Sequence, residues 1–137
     1  MLQPGHYKLS EPIKLNKDRQ VLLGIGMPTL TSTHGNAVVE VGDHVGVRVA
    51  GLLIEPGSNT PGETLLKWGT KSNSGSEKEP GVISDVFGRV GGPHHSSSTQ
   101  VQVKRMIQIN SSHVVIDHTW LWRADHDEGG SVYDSRN

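Results

Sequence analysis

Apolar residues in this chain fall at every second position, in short runs rich in valine, leucine and isoleucine. No window of eleven or more residues carries them at i, i+3, i+4 and i+7 with capping residues at both ends. Each run is bounded by Gly, Pro, Asn, Asp or Ser, which marks strands separated by turns. The pattern predicts strands over 7–9, 13–15, 21–25, 29–32, 37–41, 45–50, 52–55, 64–68, 81–86, 100–107, 114–116 and 119–122. Two stretches break it. Residues 70–80 (TKSNSGSEKEP) and 91–99 (GGPHHSSST) are polar loops with too little apolar surface to order themselves.

The strands repeat a shape. "RQVLLGIGMPTL", "VGVRVAGLLIEPG", "PGVISDVFGRVGG" and "HVVIDHTWLWRAD" each run from a turn residue through an alternating strand to a small or polar corner, then into a second short strand. The corners are Gly24, Ala50-Gly51, Ser84-Asp85 and Asp117-His118. With Leu23, Val49, Ile83 and Ile116 taken as equivalent, the intervals are 26, 34 and 33 residues, and the two longer ones each hold a polar loop. That repetition predicts an all-β parallel solenoid whose corners stack from coil to coil. A β-sandwich also spaces its strands at roughly 8–12 residues. Tight hairpins are its usual connection, and the chain contains neither Asn-Gly nor Asp-Gly.

Composition narrows the picture. Only 33% of residues are apolar and 4% aromatic, so one domain over 1–137 must build its core from aliphatic side chains. A net charge of -1 gives no footprint for nucleic acid or an anionic membrane. The absence of cysteine excludes disulfides and thiolate metal sites. No run approaches the ~20 apolar residues of a membrane span. The first residues, MLQPGHYKLS, lack the regions of a signal peptide. They and the uncapped SVYDSRN at the other end predict a piece of a longer chain.

The densest chemistry is "VVIDHTWLWRADHDEGG", residues 114–130. Asp117, Asp125 and Asp127 are the candidate catalytic acids, since glycoside hydrolysis needs two carboxylates about 5–9.5 Å apart. The competing reading is a corner Asp bonded to its own backbone, followed by a solvated acidic turn. Trp120 and Trp122 are two apart and share a face. Facing outward they make a platform for sugar rings, and facing inward they fill the core; Leu121 inward implies both outward. Arg123 would then return to the Leu121 side. His118 is a candidate acid, base or substrate contact beside Asp117. Asp125, Asp127 and Glu128 offer oxygens of the kind calcium takes, without the EF-hand spacing, and no cofactor is expected. His94-His95 reads as an exposed loop pair. Nothing supports a Ser/His/Asp triad or a phosphate-binding loop.

"LQPGHYKLSEPIKL" resembles the opening turn of right-handed parallel β-helix proteins of the pectate-lyase-like superfamily, and "VGVRVAGLLIEPG" resembles their repeated coil. "VVIDHTWLWRADHDEGG" is similar to a segment of large secreted β-helix proteins of fungi and actinobacteria, many with discoidin-type sugar-binding domains and described as glucanase-like. The resemblance implies a right-handed parallel β-helix of about three to four coils, cut from a longer extracellular protein that acts on a polysaccharide. Its site residues would be Asp117, Asp125 and Asp127 for catalysis, with His118, Trp120, Trp122 and Arg123 contacting substrate. Asp117-His118 also matches a dipeptide in the "WIDH" segment of true pectate lyases, but no basic residue matches theirs: Arg123, the nearest candidate, follows the motif instead of sitting on a later coil. Glycoside hydrolysis is therefore expected before lyase chemistry. The rivals are a scaffold or binding segment whose active site lies on other coils, and a truncated product that self-associates through open coil ends.

Overall fold

The computed structural model describes residues 1–57, 61–71, 73–92 and 101–124. Every regular element among them is a strand: β1 (His6–Leu9), β2 (Ile13–Leu15), β3 (Val21–Leu23), β4 (Thr29–Ser32), β5 (Val39–Val41), β6 (Arg48–Glu55), β7 (Gly62–Trp68), β8 (Gly81–Val90), β9 (Val103–Ile109), β10 (Val114–Asp117) and β11 (Trp120–Arg123). All their pairings are parallel. The chain alternates between two sheets. One is ordered β1-β4-β6-β8-β10, with β3 beside β6 and β11 beside β8; the other runs β2-β5-β7-β9.

The larger sheet bends along a line of stacked corners. Ala50 pairs with Ser84 and Leu52 with Val86, which sets Gly51 beside Asp85. Asp117 pairs with Ser84 and Trp120 with Phe87, which brings His118 to the same row. Gly51, Asp85 and His118 share left-handed backbone, with φ of 68°, 51° and 50°. One residue in that conformation reverses which face the next side chain takes. In β8, Ile83 is buried before the corner and Val86, Gly88 and Val90 after it, while Val82, Phe87 and Arg89 face out.

Aliphatic rows stack inside. Leu22, Val49 and Ile83 form one, and Leu30 and Ile54 continue another beyond the corner. On the second sheet Leu15, Val41 and Trp68 stack in register. Trp68 is therefore the core tryptophan, and Gly81 makes room for it: a Cβ there would stand 2.5 Å from Trp68 Cζ2.

Several sequence expectations shift: β3 ends at Leu23, β8 runs on to Val90 and β9 spans Val103–Ile109, and two further shifts fall at the corners. Leu22 takes the inward row and Leu23 faces out, one residue from the expected alignment. The reason is the close stacking of Gly24 on Gly51, where a Cβ on either would meet the other's carbonyl oxygen at 2.2–2.4 Å. Gly24 thus matches Gly51 and not Ala50. The expected strands 45–50 and 52–55 also merge into β6, because Gly51 bends without breaking the ladder. The loop at 70–80 is tied down at its start by Asp43, which accepts hydrogen bonds from the Thr70 amide at 2.7 Å, the Thr70 hydroxyl and the Lys71 amide at 3.3 Å.

Candidate functional site

β11 lies on β8 with Trp120 against Phe87, Leu121 against Gly88, Trp122 against Arg89 and Arg123 against Val90. Gly88 is buried, and a Cβ on it would sit 2.9 Å from Leu121 Cδ2. Leu121 therefore faces the core side, and alternation turns both tryptophans outward. Their rings stack with centroids 5.8 Å apart and planes inclined by 30°. Trp120 is 64% exposed. Arg123 returns to the Leu121 side and does not share the tryptophan surface.

Trp120 forms one wall of a groove of about 620 Å³ on the outside of the bent sheet. Phe87, Leu23 and Met27 supply the groove's other large apolar side chains, and Gly24, Ala50 and Gly51 its small ones. Gly24, Ala50 and Gly51 are corner positions of neighbouring parallel strands, so the depression lies along the line of corners. Asp85 supplies its carboxylate.

The rim carries a charged pair. His118 Nδ1 bonds to Asp85 Oδ1, and the Ser84 hydroxyl donates to Asp85 Oδ2 at 3.0 Å. Phe87 meets the imidazole edge-on at 6.2 Å between centroids. The His118 bond, and then the Ser84 hydroxyl, hold the Asp85 carboxyl below its ordinary value of 3.8, against a smaller opposing effect of desolvation. The same bond and the charge of Asp85 lift His118 above 6.5, with Asp117 adding to the lift. Asp117 itself is exposed at the end of β10, beside Ser84. Asp125 and Asp127 lie outside the described residues, as do Glu128 and His94-His95.

A second polar cluster was not anticipated from the sequence. Glu55 faces the outside of the sheet yet is fully buried. It accepts a hydrogen bond from the Thr31 hydroxyl at 2.7 Å and one from Arg89 at 2.8 Å, and His6 Nε2 lies 3.2 Å away. His6 opens strand β1. The four residues come from β1, β4, β6 and β8, up to 83 positions apart in the chain, so no local motif marks them. Among the described residues no three His, Cys, Asp or Glu side chains converge to hold a metal ion.

Stacked parallel strands with bent corners and an outward aromatic groove define a pectate-lyase-like protein. The chain belongs to the LAM55 pectate lyase-like domain family, whose model matches residues 1–137. It is 39% identical over 130 residues to an exo-beta-1,3-glucanase of Streptomyces sp. (strain SirexAA-E / ActE), a match covering 94% of this chain and 20% of that protein. The solved structure of sacteLam55A from Streptomyces sp. SirexAA-E superposes with a TM-score of 0.79 at 36% identity, over 90% of this chain and 22% of that one. A variant of sacteLam55A in complex with glucose matches equally well. The chain thus spans about one fifth of the length of these relatives.

Proposed function

We propose that this chain is a segment of an extracellular, glycoside hydrolase-like protein acting on β-1,3-glucan, and that its outer groove holds part of the glucan chain. The three faces of each circuit close, in this reading, into a right-handed parallel β-helix of three to four coils. The carrying observation is the outward Trp120–Trp122 pair beside the Phe87–Met27 groove. Aromatic faces set next to a polar rim suit pyranose rings, whose apolar C–H faces stack while their hydroxyls seek donors and acceptors. The glucanase relative supports β-1,3-glucan as the polymer.

Asp117, Asp125 and Asp127 remain the proposed acids and Asp117 the one closest in sequence to the groove residues. A binding segment without catalysis of its own is the second reading. It is favoured by the mutual bond of Asp85 and His118, which engages the described acid of the groove in a local pair.

Titration with a β-1,3-gluco-oligosaccharide, followed by tryptophan fluorescence, tests the proposal. Trp68 is buried, so a change on titration reports on the outward pair. Saturable binding that Trp120→Ala abolishes is expected. Equal responses to β-1,3- and β-1,4-linked oligosaccharides, or none to either, would overturn it. Reducing sugar released by the wild type but not by Asp117→Asn would separate catalysis from binding alone.

A further inference from the structure

The row Gly51, Asp85, His118 changes character along the stack. All three residues hold left-handed backbone. Glycine takes that conformation freely, and residues with a Cβ do so at a cost. The circuit at Gly51 uses glycine, while the next two, beside the aromatic wall, carry charged side chains. Strained positions of this kind persist where surrounding structure holds them, and they gather at functional sites.

The local geometry fixes one imidazole edge and presents the other. Asp85 engages Nδ1, Ser84 steadies Asp85, and Phe87 braces the ring. Bonding at Nδ1 leaves Nε2 directed away from Asp85, on a side chain that is 74% exposed. Trp120 lies two residues further on, across the same rim.

We propose that the Asp85–His118 pair is a positioning element of the groove: His118 Nε2–H donates to a saccharide hydroxyl while the ring stacks on the Phe87–Trp120 wall, and Asp85 holds the imidazole in place. The inference rests on the glucan-binding reading above. Protonated His118 makes a charge-assisted bond, stronger than the one its neutral form offers. The charged groups around the imidazole are Asp85 on β8 and Asp117 on β10. β6 contributes Ala50 and Gly51 there, with Arg48 two positions earlier on the outward side, and the β3–β4 corner contributes the uncharged Gly26 and Met27.

The test is affinity of the whole chain for a β-1,3-gluco-oligosaccharide across pH, with imidazole titration followed by NMR. Wild-type affinity should fall as pH rises through the lifted His118 value. His118→Gly should bind about tenfold more weakly in weakly acidic buffer, lose the pH dependence, and melt no lower than wild type, because glycine relieves the corner. Asp85→Asn should move both the imidazole titration and the fall in affinity to lower pH. His118→Asn, whose side chain tolerates left-handed backbone, should bind as weakly as His118→Gly. If the His118 variants keep wild-type affinity and pH profile while Trp120→Ala loses binding, the pair is a corner staple: this inference fails and the glucan reading stands. If the wild type binds no β-1,3-glucan at any pH, both fail together.

Discussion

At the scale of single residues, side chains far apart in sequence meet because parallel strands stack side by side. Glu55 sits in a strand run ending "LLIEPG", where an acid before a turn reads as exposed. The stack makes it the shared partner of Thr31 and Arg89 and encloses it completely. Removing its charge leaves the 15% exposed Arg89 side chain without its anion. Glu55→Gln should cost about 3 kcal/mol of unfolding free energy by urea titration, whereas a loss under about 0.5 kcal/mol, the range of ordinary surface changes, would mean the pair contributes nothing. Asp85 and His118 carry a second prediction. The raised histidine contributes stability that is complete below 6.5 and is lost as pH rises through its folded value. The depressed aspartate contributes above 3.8 and loses its part as pH falls through its folded value. The difference in melting temperature between wild type and Asp85→Asn should therefore be most favourable to wild type between pH 3.8 and 6.5 and shrink on both sides. A difference that is flat across pH would show that the pair does not act through charge.

At the scale of elements, alternation made the strands legible, because burial in a stacked sheet follows the two-residue period closely. It could not show where a strand bends. A glycine that ends a strand and a glycine that turns it look alike in sequence, so the pattern aligns Leu23 with Val49 although Leu22 occupies that row. It also read the aromatic pair conditionally: Leu121 inward implied both tryptophans outward, and the Gly88 contact supplies that condition. Asp85 was legible as a corner but not as a groove residue, since its partner lies 33 positions on. The corner stacking gives a sharp test. Gly51→Ala would set a Cβ 2.4 Å from the Gly24 carbonyl oxygen while φ is 68°. Backbone on both sides cannot withdraw, so the substitution should cost about 2–3 kcal/mol. Asp85→Gly, one strand along, relieves the same conformation and loses an exposed ion pair and the Ser84 hydrogen bond, so its urea midpoint should stay within error of wild type or rise. Equal damage from the two substitutions would contradict the stacking argument.

At the scale of the whole molecule, the ends of the stack decide behaviour in solution. β10 and β11 form the last rung of the bent sheet among the described residues, each paired with β8 on one side. Ile116 and Leu121 continue the inward rows of Ile83 and Gly88, yet each is 46% exposed. An apolar inward row beside a strand edge that no described strand pairs is a template for another chain. In the glucanase relative the corresponding region accounts for only one fifth of the protein. The 137-residue chain alone should therefore self-associate as concentration rises, and light scattering after size exclusion should show the mass growing above that of 14.8 kDa. Leu121→Lys should suppress the growth without changing the circular dichroism of the strands, because it charges that edge and leaves the rows below it packed. Mass that stays at 14.8 kDa through the concentration series would remove the β10–β11 edge as a self-association surface. Growth that Leu121→Lys fails to suppress would move that surface to the opposite edge of the stack, where β1 and β2 end their sheets.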